Sequence, residues 1–230
     1  MCGRFTLATP AARLMDLFRL QSFPEIQPRL NIAPTQRIVC VRQVDQLREA
    51  VELRWGLVPS WAKDLTIGNR MINARSETAA KKPSFRKAWA ERRCLIPADG
   101  FYEWQKVSGG KKQPWMIHLP DREPFAFAGL WESWKPKDAA DGDSIIQTCT
   151  ILTTAANNDL QHLHERMPVF VQPERFDLWL SPNASPGQLQ QLMQPLPEGR
   201  LELTKASMEI NKVSRSSDHS DPPTQKELFS

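Results

Sequence analysis

The 230-residue chain has only four cysteines, a single tyrosine and no long apolar run, and each shortage excludes a class of protein. The cysteines form no Cys-x-x-Cys pair, which argues against a zinc ribbon or a disulfide framework and favours a reducing compartment. Because no run of roughly 18 apolar residues is present, no transmembrane helix is predicted. The first ten residues lack a basic segment followed by an apolar one, so we expect no signal peptide and a cytoplasmic protein. We expect neither a metal nor a cofactor.

The net charge of +4 conceals an uneven distribution. Residues 1–120 carry 20 lysines and arginines against 10 acidic residues, whereas residues 121–230 carry 10 against 16. Between Trp61 and Arg93, nine basic side chains outnumber three acidic ones, and aromatic residues lie among them. A solvated basic surface is the simplest explanation of the charge alone. A basic groove with aromatic platforms is, however, what a protein that binds single-stranded nucleic acid needs.

The pattern of elements predicts one α+β domain with a mixed, barrel-like β core flanked by short helices. Strands outnumber helices and do not alternate with them, which argues against a doubly wound fold. Strands are predicted at 37–44 and 47–55, as a hairpin turning at 45–46, and at 115–119, 125–130 and 145–153. Helices are predicted after a Thr9 N-cap, from a Ser84 cap to Arg93, and after Pro173 and Pro186.

Two polar segments and four tryptophans complete the predicted organisation. Residues 135–144 are predicted to form a surface loop, and residues 214–230 a polar tail without fixed structure. Neither segment marks a domain boundary. The tryptophans predicted to lie in the core are Trp55, Trp89, Trp115 and Trp131.

Cys2 is the most unusual position in the sequence. If an aminopeptidase removes Met1, the chain begins with a cysteine whose α-amine and thiol stand two carbons apart. An α-amine has a pKa of about 7.7–8.0, so a useful fraction is uncharged near neutral pH. Such an amine condenses with an aldehyde to a Schiff base, which the adjacent thiol closes to a five-membered thiazolidine ring. From its position alone, Cys2 is more simply an incidental small residue.

Six short segments in a fixed order change this interpretation. The chain begins MCGRF, and the other five are 31–36 (NIAPTQ), 54–64 (RWGLVPSWAKD), 71–78 (MINARSET), 97–104 (PADGFYEW) and 164–169 (HERMPV). Together they resemble the SOS response-associated peptidase (SRAP) family. The resemblance runs from Cys2 to about position 171 and continues weakly to 213–214. It implies one domain over residues 1–213 that crosslinks abasic sites in single-stranded DNA to Cys2, protecting them during the DNA damage response, with lyase-like and autopeptidase activities.

The resemblance assigns catalytic roles to Cys2, Asn73, Glu103 and His164. Glu103 stands between two aromatic residues, and burial there would favour the protonated carboxyl and suit proton transfer. His164 can protonate the sugar during ring opening or assist reversal of the crosslink, whereas the nearby His162 lacks this context. Asn73 can hydrogen-bond the N-terminal amine or a sugar oxygen.

DNA contacts are implied at eight further positions. Asn73 and Arg75 are two residues apart, which places both side chains on one face of a strand and lets Arg75 fork onto a phosphate. Glu77, next on that face, is expected to neutralise an arginine. Base stacking is expected from three aromatic residues, and other contacts from polar groups and a proline. The eight positions are Arg4, Pro34, Trp61, Arg75, Phe85, Trp104, Thr153 and Arg166.

The sequence departs from the family pattern at two places. Leu30 precedes the NIAPTQ segment where the family often has an aromatic residue. Residues 213–221 (VSRSSDHSD) lack the VN and ND pattern that commonly ends the family's domain, which puts the end of the last strand in doubt.

Three functions remain open at this point. The first is covalent capture of abasic sites by a protein we expect to be monomeric. The second is a cysteine peptidase that acts on itself or other proteins, with Cys2 as nucleophile, Glu103 as base and Asn73 polarising the carbonyl. The third is a non-covalent module for single-stranded or modified DNA that uses only the basic aromatic groove.

Overall fold

The structure is a computed structural model that describes residues 2–107, 110, 112–136 and 145–211. The predicted tail at 214–230, the divergent segment at 213–221 and all of the predicted loop except residues 135–136 lie outside the described residues. The strands, in chain order, are β1 (Phe5–Leu7), β2 (Arg29–Ile32), β3 (Arg37–Val44), β4 (Leu47–Trp55), β5 (Asn73–Arg75), β6 (Arg93–Ala98), β7 (Gly100–Lys106), β8 (Lys112–His118), β9 (Phe125–Trp134), β10 (Ile146–Ala155), β11 (Arg166–Pro168), β12 (Phe170–Val171) and β13 (Glu202–Lys205).

The helices are short and lie around the sheets. The α-helices are α1 (Ala11–Phe18), α2 (Ser76–Ala79), α3 (Arg86–Glu91), α4 (Asn158–Gln161), α5 (Phe176–Leu180) and α6 (Pro186–Gln191). Helices of the 3-10 type cover Leu65–Arg70, Pro120–Arg122, Pro173–Arg175 and Met208–Asn211.

Five strands of the larger sheet close into a barrel. The order β10-β4-β3-β6-β9 returns to β10, because β10 pairs in parallel with β4 on one edge and antiparallel with β9 on the other. The short strands β5 and β11 continue along the two edges of β10, and β12 adds to β9. This architecture confirms the predicted α+β class with a barrel-like core.

The second sheet is antiparallel, in the order β13-β8-β7-β1-β2. At Asp99 the chain passes directly from β6 of the barrel into β7 of this sheet, with one residue between the two strands. Phe5 on β1 packs edge-on against the barrel residues Trp55 and Phe127, with ring centroids 5.3 and 6.1 Å apart. All three rings are at most 1% exposed, so the start of the chain is anchored in the core by apolar burial.

The hairpin prediction is confirmed, and two predicted helix starts are wrong. Strands β3 and β4 have the predicted bounds and turn at 45–46. Helix α1 begins at Ala11 after Pro10, and the Thr9 hydroxyl donates to Asp99 at 3.0 Å instead of capping the helix. Helix α3 begins after Phe85 and ends at Glu91, so Ser84 does not cap it. Ser185 does cap α6, in a capping box with Gln188.

The tryptophan predictions are half correct. Trp55 and Trp89 are buried, at 0% and 7% exposure. Trp115 and Trp131 are only half-buried, because they pack on the outside of the core and a cation covers each ring. The Arg42 guanidinium lies 4.4 Å from the Trp131 ring centroid, and the Lys205 ammonium 5.9 Å from that of Trp115.

The close packing inside the barrel makes Gly129 a sensitive position. A Cβ atom at Gly129 would lie 2.8 Å from both Cys94 Sγ and Ile96 Cδ1, whereas one at Gly187 in α6 would meet nothing within 4 Å. We predict that Gly129→Ala lowers the free energy of unfolding by about 1–3 kcal/mol through overpacking. Gly187→Ala should leave it unchanged or raise it by at most about 1 kcal/mol. Urea denaturation checks both, and an equal effect at the two positions would contradict the barrel packing.

Candidate functional site

Cys2 lies in a short N-terminal arm that extends β1 along β7. The Tyr102 N–H donates to the Arg4 carbonyl at 2.9 Å, which continues the antiparallel pairing beyond Phe5. This pairing brings the arm alongside Glu103. The Asn73 Nδ2 donates to the Cys2 carbonyl at 2.7 Å. Three of the four predicted catalytic residues, from the arm, β5 and β7, therefore meet at one place.

The Cys2 thiol is held in its protonated form. Its side chain is fully buried, and Sγ lies 3.9 Å from the Arg4 carbonyl oxygen, to which it donates. Burial raises the pKa of the thiol far above its ordinary range, and the negative charge of Glu103 raises it further. A thiolate is the reactive form, so the cysteine needs a proton acceptor at the moment of reaction. The buried Glu103, at 5% exposure, is the charged group that acts on it.

Asn73 is positioned by strand pairing. Strand β5 pairs in parallel with β10, with Asn73 beside Ile151 and Arg75 beside Thr153. Ala74 between them is buried in the core, so Asn73 and Arg75 share the opposite face. Asn73 Nδ2 donates to the Cys2 carbonyl. Its Oδ1 is buried and meets no donor within the described part of the chain. That oxygen can accept a further hydrogen bond beside Cys2.

His164 lies in the turn between α4 and β11. Its Nδ1 accepts the Arg166 N–H at 2.9 Å, so a neutral ring carries its proton on Nε2. The described contacts join His164 to Arg166 and not directly to Cys2. His162, two residues earlier, is exposed at the end of α4.

The charge of Arg166 is neutralised by Glu77, which is the role predicted for that carboxylate. Its two terminal nitrogens donate to the Glu77 carboxylate at 2.7 and 2.9 Å, and one also donates to the Thr153 carbonyl at 2.5 Å. Thr153 itself is fully buried, and its hydroxyl donates to the Ala74 carbonyl at 3.4 Å. The Thr153 side chain is therefore not exposed for the DNA contact that was predicted. Arg75 is the exposed cation of this group.

Arg4 is held by residues that sequence reasoning missed. Its guanidinium donates to Asn31 Oδ1 at 2.6 Å and to the Ile210 carbonyl at 2.8 Å. It also lies 5.7 Å from the centroid of Trp104, whose Nε1 donates to Asn211 Oδ1 at 2.8 Å. Asn31 falls within the NIAPTQ segment, and membership of that segment was the only feature of the sequence that pointed to it. No feature of the sequence pointed to the turn at Met208–Asn211, because its partners are about 100 to 200 residues away along the chain.

Pro34 lies in a tight turn beside the arm. Ile32 pairs with Phe5, and the next residues turn so that the Gln36 N–H donates to the Ala33 carbonyl at 3.4 Å. Thr35 has φ 74°, a conformation that is uncommon for a β-branched residue and costs about 1–3 kcal/mol. The turn keeps Pro34 half-buried at the edge of the site.

The two remaining aromatic candidates have opposite environments. Trp61 is 55% exposed and lines an open cleft of about 650 Å³ with Lys63, Asn69 and Arg70. Phe85 is 7% exposed and belongs to the hydrophobic core. Its ring is enclosed where α3 begins, so it is not exposed for the predicted stacking on a base.

Two further findings concern the described residues as a whole. They contain no group of three or more His, Cys, Asp or Glu side chains arranged to hold a metal ion. None of their helices combines the length and the apolar character needed to cross a membrane.

Comparison with known proteins identifies the family. The family described as SOS response associated peptidase (SRAP) matches residues 1–213. The abasic site processing protein YoqW of Bacillus subtilis is 41% identical over 221 residues, covering 94% of this chain and 97% of that protein. The abasic site processing protein YedK of Escherichia coli is 30% identical, covering 78% and 79%. A crystal structure of a Bacteroides thetaiotaomicron protein matches with a TM-score of 0.82 at 25% identity, covering 93% and 95%. The chain belongs to the SRAP family.

The ion pair between Glu77 and Arg166 predicts a pH-dependent contribution to stability. Hydrogen bonds from Arg166 hold the pKa of Glu77 below its usual range. A depressed folded-state pKa contributes stability above the unfolded-state value, and the contribution is lost as pH falls through the folded-state value. At pH 7, Glu77→Gln should lower the free energy of unfolding by at most about 1 kcal/mol, since Glu77 is half exposed. The difference should shrink below about pH 4.

Urea titrations of both proteins between pH 3 and pH 7 make this measurement. Glu25→Gln, at an exposed position outside the site, is the control. A difference that stays constant across this pH range would contradict an ionic contribution.

Proposed function

We propose that this protein captures abasic sites in single-stranded DNA, by forming a thiazolidine crosslink through Cys2 after removal of Met1. The observation that carries the proposal is the placement of Cys2, whose carbonyl is held by Asn73 while its thiol lies in the field of Glu103. The relatives named as abasic site processing proteins support the same substrate. An abasic deoxyribose opens to an aldehyde, which a 1,2-aminothiol captures well.

The proposed chemistry needs no oxidant or reductant. The α-amine of Cys2 attacks C1′ of the open sugar, and loss of water gives a Schiff base. The sulfur then adds to the same carbon, the thiol proton passes to the nitrogen, and the thiazolidine ring closes. Glu103 accepts the thiol proton and delivers it to nitrogen. This transfer generates the thiolate at the moment of reaction, although burial raises the pKa of the thiol. Asn73 Oδ1 accepts from the amine and orients it, and His164 donates from Nε2 to the sugar oxygen as the ring opens.

The DNA strand is proposed to follow the exposed cations and aromatic rings beside Cys2. Arg75 is exposed for a phosphate, while Arg4 and Arg166 offer only the donors that their protein partners leave free. Trp61 offers an exposed ring, and Trp104 one half covered by Arg4. Pro34 supplies an apolar edge. The proposed protein is a monomer and acts in the cytoplasm. The same cysteine is proposed to carry lyase-like and autopeptidase activities.

The decisive experiment uses a single-stranded oligonucleotide with one abasic site. Protein whose Met1 has been removed, as verified by intact mass, should give a heat-stable shifted band on a denaturing gel. Cys2→Ala should abolish the band, and retained Met1 should block it, because each removes one of the two reacting groups. Cys149→Ala changes another fully buried cysteine and should leave the band unchanged.

Other outcomes would favour the alternatives. The absence of a band with correctly processed protein would overturn covalent capture. Binding that is salt-sensitive and purely non-covalent would favour a binding module. Cleavage of an unrelated peptide substrate, without a band, would favour a cysteine peptidase.

The proton-transfer roles give a second prediction. Glu103→Gln and His164→Ala should each slow crosslink formation or its reversal by about 10²-fold or more, the usual contribution of general acid–base catalysis. Time courses at several pH values, at saturating oligonucleotide, measure this effect. His162→Ala is the matched control, since that exposed ring lies two residues away. Unchanged time courses for either variant would remove that residue from the mechanism.

A further inference from the structure

Asp99 makes an unusual set of contacts at the junction of the two sheets. Its side chain is 7% exposed, and its Oδ1 accepts the Thr6 hydroxyl at 2.5 Å. Its Oδ2 accepts the Ala8 N–H at 2.6 Å, the Thr9 N–H at 2.8 Å and the Thr9 hydroxyl at 3.0 Å. One buried carboxylate thus makes four contacts, one with Thr6 inside β1 and three with the two residues that follow the strand.

The backbone pairing of β1 with its neighbours is short. Phe5 and Thr6 pair with β7 opposite Phe101 and Gly100, and the Arg4 carbonyl beyond them accepts the Tyr102 N–H. On the other edge, the pairing with β2 is irregular between Phe5 and Leu7. The burial of Phe5 favours the observed register, and a further contact next to so short a ladder reinforces it.

Register decides where Cys2 lies. A slip of one residue would move the arm by about 3.3 Å and turn every side chain to the other face. The 2.7 Å hydrogen bond from Asn73 to the Cys2 carbonyl would not survive such a movement. Phe5 would also leave its contacts with Trp55 and Phe127.

We infer that Asp99 is a positioning residue for Cys2: it fixes the register of β1 against β7 and so delivers the cysteine to Asn73 and Glu103. Asp99 directly precedes Gly100, the last residue of the β1–β7 ladder, and its N–H donates to the Thr6 carbonyl at 3.0 Å. The carboxylate therefore continues the ladder by one further, charge-assisted step. Its effect on crosslinking rests on the proposed function, whereas its effect on the burial of Cys2 does not.

The test compares alkylation of the four cysteines by iodoacetamide, followed by peptide mass mapping. All four are buried in the same hydrophobic core, but Cys40, Cys94 and Cys149 lie on the barrel strands β3, β6 and β10, where they report on global unfolding. Asp99→Ala should speed labelling of Cys2 at least about tenfold while the other three stay protected, as loss of one charge-assisted hydrogen bond allows. Asp99→Asn should restore protection, because its amide can donate to Thr6 while its oxygen keeps the other contacts. Asp159→Ala, which removes a carboxylate that binds the Gly199 N–H, is the control.

The outcomes separate the two proposals. Unchanged Cys2 labelling in Asp99→Ala, or equal labelling of all four cysteines, would overturn the positioning role. If Asp99→Ala does not fold, Thr6→Val replaces it with the same expectation, because it removes the hydroxyl that donates to Asp99 Oδ1 and lies 3.3 Å from the Gly100 carbonyl oxygen. With the abasic oligonucleotide, Asp99→Ala should crosslink about tenfold more slowly at saturation, and Asp99→Asn should recover most of the rate. Selective Cys2 labelling in a protein that never crosslinks would support Asp99 and overturn only the proposed function.

Discussion

Strand β10 is hydrogen-bonded along both edges, and Asn73, Arg75 and Arg166 take their positions from that pairing. In its first half β10 joins β4 and β9, which closes the barrel. In its second half β5 and β11 occupy the same two edges, so Arg75 and Arg166 come to one end of the barrel. Because backbone ladders lose energy steeply when stretched, side chains on them are held more precisely than side chains on loops.

The parts of the fold that depend on local pattern could be predicted from the sequence. The hairpin at 37–55 follows from two β-rich runs on either side of a polar turn, and α6 follows from a serine and proline at its start. Thr9 and Ser84 misled for a common reason: cap preference is a local property, and a remote partner can override it. Asp99 takes the Thr9 hydroxyl from a distance of 90 residues along the chain.

The site was predictable in its residue types but not in its contacts. The structure brings the predicted residues Cys2, Asn73 and Glu103 together, although the bond from Asn73 to Cys2 spans 71 positions and depends on barrel closure. Phe85 and Thr153 are buried, which could not be foreseen because residue type does not reveal which face of an element is enclosed. Asp99 and Asn31 stood inside quoted segments, yet their role depends on how the second sheet folds back on the barrel, which no local periodicity encodes.

The burial of Cys2 has a consequence for the durability of the protein. Peroxide converts thiols to sulfenic and then sulfinic acids in proportion to their thiolate character and exposure. Cys2 is fully enclosed and its burial keeps the proton on sulfur, so it presents neither property. A cysteine that is buried and protonated is therefore expected to resist oxidation by peroxide for longer than an exposed thiolate.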